Sequence, residues 1–178
     1  MQAGTHCIVL EPTVKAAANF RQHAQRLAEV VPNEPVCLML PGEVFRKAHK
    51  EGYTWCASID GVSGSLMLPR QMVQKWQSWA TWCAGPIDDE SSMAAYFWSY
   101  GKRILHPMPP LVTPKAKPGW LAGPDAAWSV GAPYLVNTLL RDQDPADILR
   151  GMLTDGIRSH FDFDAQRWTC EAAQAFAP

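Results

Sequence analysis

The sequence predicts an α/β fold in which a small mixed sheet is flanked by helices. Within about thirty residues a short apolar run of strand-forming residues precedes an alanine-rich stretch with helical periodicity, and a second apolar run follows. This order is typical of sheets whose ligands bind at the carboxyl ends of the strands. The chain has 178 residues, 47% of them hydrophobic, which is enough for a sizeable core.

The first three elements follow directly from this pattern. The run THCIVL (5–10) predicts a buried strand, because Pro12 would interrupt a sheet ladder. The stretch VKAAANFRQHAQRLAEVV (14–31) predicts a helix with one apolar face, and PVCLML (35–40) predicts a second buried strand. Glu11 is therefore expected at the carboxyl end of the first strand.

The middle of the chain predicts shorter elements. Residues 53–64 are expected to be irregular or to form a hairpin, followed by a short strand SLML (65–68) and a helix that begins near Pro69. Gly64 permits close approach of a ligand. Three tryptophans at a spacing of three predict a helical stripe that lies in the core or in an interface: Trp76, Trp79 and Trp82.

Two adjacent aspartates begin the next predicted helix, DDESSMAAYFWSYGK (88–102). Acidic side chains at a helix start satisfy free N–H groups and complement the helix dipole. Met93 and Phe97 lie on one apolar face, so a short amphipathic helix is expected. Asp88 and Asp89 start a helix in every interpretation, and they mark a catalytic position only if a donor site exists around them.

The last third predicts a strand, a long loop and a helix. RILHPM (103–108) is the strand, and a proline-rich loop (109–128) follows it. ADILRGMLTDGIRSHF (146–161) has helical spacing. We expect residues 1–140 to form the α/β domain and residues 141–178 to form a helical extension packed on it.

Composition and charge limit the function classes. The formal net charge is -1, so nucleic-acid binding gains no support, and no apolar run is long enough to span a membrane. The first residues lack the features of a secretory signal, which places the chain in a cytoplasm. Five widely spaced cysteines without a CxxC pair make a zinc knuckle or a disulfide framework unexpected. Dinucleotide, P-loop, hydrolase-elbow and zincin motifs are also missing from the sequence.

A collinear series of short motifs resembles a known family. HCIVLEPTVKAAANF, PVCLML, GSLMLP, DDESSMAAYFWSYGK, HPMPPLV and WLAGP together resemble the C-terminal half of small GT-A-fold glycosyltransferases of the kind found in bacterial and phage genomes. The series spans roughly residues 5–125. The resemblance implies a truncated GT-A (nucleotide-diphospho-sugar transferase) fold, a nucleotide-sugar or carbohydrate as ligand, and, for a phage protein, the host cytoplasm.

The resemblance also implies roles for particular residues. The acidic pair at the later helix start of such enzymes lies near the acceptor and acts as general base, which makes Asp88 and Asp89 the catalytic candidates. The candidate substrate-binding residues are Glu11, Gly64, Ser65, His106 and Trp120.

The metal positions of the family are changed in this chain. Where the family has an acidic pair after the first strand, Glu11 is the only carboxylate, and Pro114 stands where a histidine would complete the metal site. We therefore expect no metal site and no cofactor, and Mn²⁺ or Mg²⁺ would bind only if the site were intact. Asp162 and Asp164 have the spacing of a D-x-D motif, which is also common in turns.

Three hypotheses about function remain open. The first is a glycosyltransferase-like protein without an intact metal and nucleotide-sugar site, which acts as a binding or structural scaffold. The second is an active transferase that is metal-independent or completes its donor site by oligomerisation. The third is an α/β protein-interaction domain. We expect self-association or another protein partner, since a truncated sheet would expose an edge.

Overall fold

The computed structural model describes most of the chain as a layered arrangement of strands and helices. It covers residues 4–40, 42–58, 65–83, 89–116, 119–129, 131–136, 144–153, 160–169 and 175–176, without the side chains of 42–45 and 89–90. The strands are β1 His6–Leu10, β2 Val14–Ala16, β3 Val36–Cys37, β4 Trp55–Ser58, β5 Ser65–Pro69, β6 Ile104–Pro107, β7 Val112–Pro114, β8 Tyr134–Leu135, β9 Phe161–Asp162 and β10 Arg167–Trp168. The helices are α1 Phe20–Val30, α2 Gly42–Lys50, α3 Arg70–Trp82, α4 Asp89–Ser99 and α5 Pro145–Met152.

A six-stranded mixed sheet forms the centre of the fold, which confirms the predicted α/β class. Its strand order is β1-β5-β3-β6-β4-β8. β5 is antiparallel to both β1 and β3, so the predicted strand-helix-strand unit is present with an antiparallel strand inserted between its two strands. β6 is parallel to β3, β4 is antiparallel to β6, and β8 is parallel to β4.

The two faces of the sheet pack against different helices. Because side chains alternate along a strand, Leu66 and Leu68 of β5 face one side and Met67 faces the other. Leu66 and Leu68 belong to a core with α3, α4 and α5. Met67 belongs to a second core with α1 and the segment around Trp128. We call these sides the α4 face and the α1 face.

Helix α4 is buried over its whole described surface. Every side chain from Ser91 to Ser99 is buried, including Tyr96 and Phe97. Helices α3 and α5 and the β9–β10 hairpin surround it, and Trp168 of the hairpin donates a hydrogen bond to the Ser99 hydroxyl at 3.2 Å. The helix is confirmed, but the prediction that it is amphipathic is wrong, because neighbours cover its polar serines as well as its apolar side chains.

The tryptophan stripe of α3 is confirmed as part of the core. Trp79 is fully buried, and Trp76 and Trp82 pack against the same cluster. The Trp76 indole donates a hydrogen bond to the Ser92 hydroxyl of α4 at 3.1 Å. This stripe therefore joins α3 to α4.

Several predicted boundaries are wrong. The stretch 14–16 forms β2, which pairs with β7, and α1 begins six residues later than expected, at Phe20. The second apolar run has ladder pairing only over Val36–Cys37. The proline-rich loop contains β7, and Gly42–Lys50, for which no element was predicted, forms helix α2.

The C-terminal segment contains both a helix and a hairpin. α5 ends at Met152, earlier than predicted, and β9 pairs with β10 where no order was expected. Asp144 caps α5, since its carboxylate accepts the Ala146 N–H at 2.8 Å. The predicted domain boundary near residue 140 lies outside the described residues. Among the helices that the structure describes, none is long and apolar enough to cross a membrane.

Candidate functional site

At the carboxyl end of β1, two of the predicted substrate-binding residues, Glu11 and Ser65, lie near each other on neighbouring strands. Leu10 pairs with Ser65, so Glu11 follows immediately beyond the first residue of β5. Glu11 is half-buried, and its carboxylate accepts a hydrogen bond from the Thr13 hydroxyl at 2.9 Å. Among the residues that the structure describes, Glu11 therefore supplies a carboxylate at this end of the sheet.

Ser65 is sealed inside the protein. Its side chain is buried, and its hydroxyl has no hydrogen-bond partner among the residues that the structure describes. Its carbonyl accepts the Leu38 N–H at 2.8 Å, which extends the pairing between β5 and β3. Ser65 lies two residues before Met67 on β5, so its side chain points to the same side of the sheet, the α1 face.

His106 lies on the opposite side of the sheet. It is buried on β6 opposite Cys56, and it shares the alternation of Ile104, which belongs to the core of the α4 face. Its Nδ1 lies 2.8 Å from the Met39 carbonyl oxygen, and its Nε2 lies 2.8 Å from the Ser58 hydroxyl. The alternation therefore places the side chains of Ser65 and His106 on different faces.

The hydrogen bonds of His106 fix its neutral tautomer. A carbonyl oxygen only accepts, so Nδ1 carries the proton and Nε2 accepts from the Ser58 hydroxyl. A serine that donates to a histidine is also the arrangement of an activated nucleophile. Here both side chains are fully buried, so the pair holds β4 to β6 within the core. Sequence reasoning missed Ser58, and only its alternation with Cys56 could have indicated it.

Trp120 lies on the surface beside α2. Its side chain is 47% exposed, and its ring centroid lies 5.3 Å from that of His49. A tilted pair of exposed rings can bind the flat face of a ligand or can simply cover the last turn of α2.

Part of the predicted site lies outside the described residues. The predicted site residues Asp88 and Gly64 belong to that part. Asp89 is the first residue of α4, in agreement with its predicted role as a helix start. Whether any of these residues takes part in catalysis stays a prediction.

The described residues contain no group of three or more histidine, cysteine or acidic side chains that could hold a metal ion. Asp162 of the D-x-D sequence forms a turn, because one of its carboxylate oxygens accepts the N–H groups of Asp164 at 3.0 Å and Ala165 at 2.9 Å. These bonds agree with the alternative that such spacing is common in turns.

A cavity lies at the other end of β1. Its volume is about 520 Å³, and its lining combines the start of β1 with the end of α1 and the start of α3. None of the predicted site residues lines it. Its walls are formed by Gly4, Thr5, His6, Ala28, Pro32, Asn33, Pro69, Arg70 and Gln71.

His6 is the first residue of β1, and it lines this cavity. Its Nδ1 lies 2.9 Å from the Thr5 hydroxyl. Burial lowers the pKa of the His6 imidazole, and a hydrogen bond with the Pro32 backbone partly offsets this effect. The neutral ring is therefore favoured at the start of β1.

Strand β1 is the most exposed apolar segment among the described residues, which corrects the prediction of a buried strand. Ile8 is 42% exposed, Val9 57% and Leu10 40%. One side of β1 pairs with β5, and within the described part of the chain no strand pairs with its other side. A continuous apolar run without polar alternation predicts burial, and the sequence carries no signal that this strand lies at an edge.

The buried thiols near the sheet are held in their protonated form. Burial raises the pKa of Cys56 and of Cys83 to about 12. Cys7 on β1 is only partly buried. None of the four described cysteines, Cys7, Cys37, Cys56 and Cys83, forms a disulfide.

The chain was compared with protein-family models, with curated proteins and with solved structures. No family model matches it, and neither do any curated protein or solved structure.

Proposed function

We propose that this protein is a glycosyltransferase-like scaffold that binds protein and does not turn over a nucleotide-sugar. The observation that carries the proposal is a contrast: the polar candidate site residues are buried, whereas an apolar strand is exposed. Ser65 and His106 are buried, whereas Ile8, Val9 and Leu10 of β1 are exposed.

The contacts of the polar candidates support a structural role for them. His106 is engaged at both ring nitrogens, by the buried Ser58 hydroxyl of β4 and by the carbonyl of Met39, two residues after β3. Ser65 points to the other face, so the two side chains cannot act on one substrate. Glu11 is the acid that the described residues place at this end, and one carboxylate alone is a weak site for a hard divalent cation, which prefers several oxygen ligands.

The resemblance supplies the framework of the proposal. The proposal is supported by a mixed sheet with helices on both faces, by the position of Glu11 directly after β1 and by a helix that begins at Asp89. In this proposal the fold is kept as a scaffold, and β1 is the surface through which it binds.

Calorimetric titration tests the proposal. The full chain is titrated with UDP, GDP and nucleotide-sugars, with and without Mn²⁺, and we expect no binding heat. Binding that requires Mn²⁺ and is lost in Asp88→Asn or Asp89→Asn would overturn the proposal in favour of an active transferase. Binding that requires no metal would also overturn it, in favour of a metal-independent enzyme.

A further inference from the structure

The outer edge of β1 has a definite hydrogen-bonding pattern. The Arg70 N–H donates to the Thr5 carbonyl at 3.0 Å, so Thr5 turns its backbone groups toward β5. Along an antiparallel strand, residues alternate between those that bond to one neighbour and those that bond to the other. Cys7 and Val9 therefore face β5, and His6, Ile8 and Leu10 present their N–H and C=O groups outward.

The pairing partners of β1 agree with this assignment. His6 lies opposite Pro69, which has no N–H to donate, so this pair cannot exchange two hydrogen bonds across the ladder. The outward groups of His6, Ile8 and Leu10 form a row of three residues on an open edge. Such a row is a template for another strand.

We propose that a second copy of this chain occupies the edge, with the two β1 strands antiparallel and Ile8 opposite Ile8. The inference rests on the proposed function and names its partner. In this register His6 lies opposite Leu10 of the second copy, and the three outward pairs exchange about six main-chain hydrogen bonds. Moving the two-fold axis to Val9 leaves His6 opposite Pro12, so fewer of the outward groups are paired.

The same register covers each exposed apolar side chain. Ile8 packs on Ile8 and Leu10 packs on His6, both on the α1 face, while Val9 packs on Cys7 on the α4 face. Residues 6–10 carry no carboxylate, lysine or arginine, so no like charges meet across the pair. The three side chains that are most exposed on β1 are thus the three that the second copy buries.

Charges at the ends of the strand are also complementary. Glu11 of the second copy is placed beside Thr5, whose other neighbour is Arg70. The Thr5 carbonyl accepts the Arg70 N–H, so Glu11 of the second copy lies close to Arg70 in this register, and Arg70 makes no ion pair with the residues that the structure describes. The pairing of two strands is a small interface, so we expect a dissociation constant of roughly 1–100 μM.

Disulfide trapping tests the register. Ile8→Cys is prepared in a background with Cys7→Ser and Cys170→Ser, and Leu10→Cys in the same background is the matched control. The two sulfur-bearing residues at position 8 face each other across about 5.5 Å between Cα atoms, within the range of roughly 4.4–6.8 Å that a disulfide allows. Those at position 10 are about 14 Å apart along the strands.

On oxidation with diamide, we expect a covalent dimer from Ile8→Cys and at least about tenfold less from Leu10→Cys. Equal trapping of the two variants, or more trapping from Leu10→Cys, would overturn the register.

Sedimentation tests the edge itself with the unmodified chain. We expect the protein to dimerise near 100 μM, and Ile8→Lys to weaken the association at least about 100-fold because two ammonium groups then face each other. Leu135→Lys on β8 is the control, since Leu135 is 51% exposed on the opposite edge, and it should dimerise normally. A monomeric parent chain at 200 μM, or an unchanged Ile8→Lys dimer with an intact circular dichroism spectrum, would overturn the proposal.

The two proposals fail differently. If nucleotide-sugar binds both the parent chain and Ile8→Lys, the scaffold function is wrong and the dimer stands on sedimentation alone. If the parent chain is monomeric and also binds no nucleotide, the dimer is wrong and the scaffold must bind another protein.

Discussion

The two edges of the central sheet are built in opposite ways. β1 has five residues with an apolar exposed side, whereas β8 has only Tyr134 and Leu135. Over β8, the Lys47 ammonium lies 5.5 Å from the centre of the Tyr134 ring, which also contacts Tyr53 edge-on. Short strands and lysines are the usual protections of a sheet edge. β8 has both and β1 has neither, so the comparison indicates which edge is open to a partner.

The largest expected effect comes from blocking the inner side of β1. Val9→Pro removes an N–H that points to β5, and we expect it to lower the free energy of unfolding by about 3 kcal/mol. Ile8→Pro removes an outward N–H, so it should cost less than half of that and should abolish dimerisation. Urea unfolding at low protein concentration measures both, and a larger loss from Ile8→Pro would show that the strand alternation is inverted.

Thiol labelling compares a cysteine on the edge strand β1 with one on β4, the strand that pairs with the other edge strand, β8. Cys56 pairs with Tyr134 of β8, is fully buried and has its pKa raised to about 12 by burial, whereas Cys7 on β1 is partly exposed. In a Cys170→Ser background at pH 8, we expect Cys7 to react with a disulfide reagent at least about 100-fold faster than Cys56. Mass spectrometry of the labelled peptides identifies the site.

The labelling also reports on the proposed pairing. Val9 of the second copy would cover Cys7. The reaction of the Cys7 thiol with the reagent should therefore slow as the protein concentration rises. A Cys7 rate that is independent of concentration between 1 and 200 μM would count against the register.

A smaller effect is expected from loosening the β8 edge. Val136 is buried, and its N–H donates to the Ala57 carbonyl at 2.8 Å. Val136→Ala removes the two γ-methyl groups of a buried side chain, and we expect a loss of about 1–2 kcal/mol in the free energy of unfolding. Sedimentation should show the same dimer as the parent chain, and loss of the dimer would mean that β8 contributes to it.

The smallest effect concerns pH. Burial holds the pKa of His6 below its unfolded value of 6.5, so the unfolded chain takes up the proton more readily. The contribution of His6 to stability is therefore fully present above pH 6.5 and is lost as the pH falls through the folded-state pKa. Urea unfolding at pH 7.5 and 5.5 should show a drop for the parent chain and a smaller drop for His6→Asn, and equal drops would contradict this account.

The fold class could be predicted from the sequence because apolar runs and helical periodicity are local signals. α3 and its tryptophan stripe are examples, since Trp79 lies on the face that the spacing of three defines. The strand β5 was predicted from its apolar residues, but its place between β1 and β3 could not be, because pairing between distant strands depends on contacts that a local pattern does not contain. The exposure of β1 was missed for the same reason.

The candidate site was less predictable than the fold. The position of Glu11 after β1 follows from Pro12, which ends the strand. The separation of Ser65 from His106 depends on the alternation of β5 and β6 in one sheet, and this requires their register with β3. The partner of His106, Ser58, lies 48 residues away in the chain, a distance across which spacing carries no information.

The burial of α4 has a consequence for synthesis on the ribosome. Side chains from Ser91 to Ser99 are covered in part by β9 and β10, which end at Trp168. At roughly 5–20 residues per second, the ribosome needs about 4–15 s to add the intervening chain. Throughout that interval the side chains of Phe97 and Trp98 are incompletely covered. We therefore expect the nascent chain to need a chaperone until β9 and β10 have been synthesised.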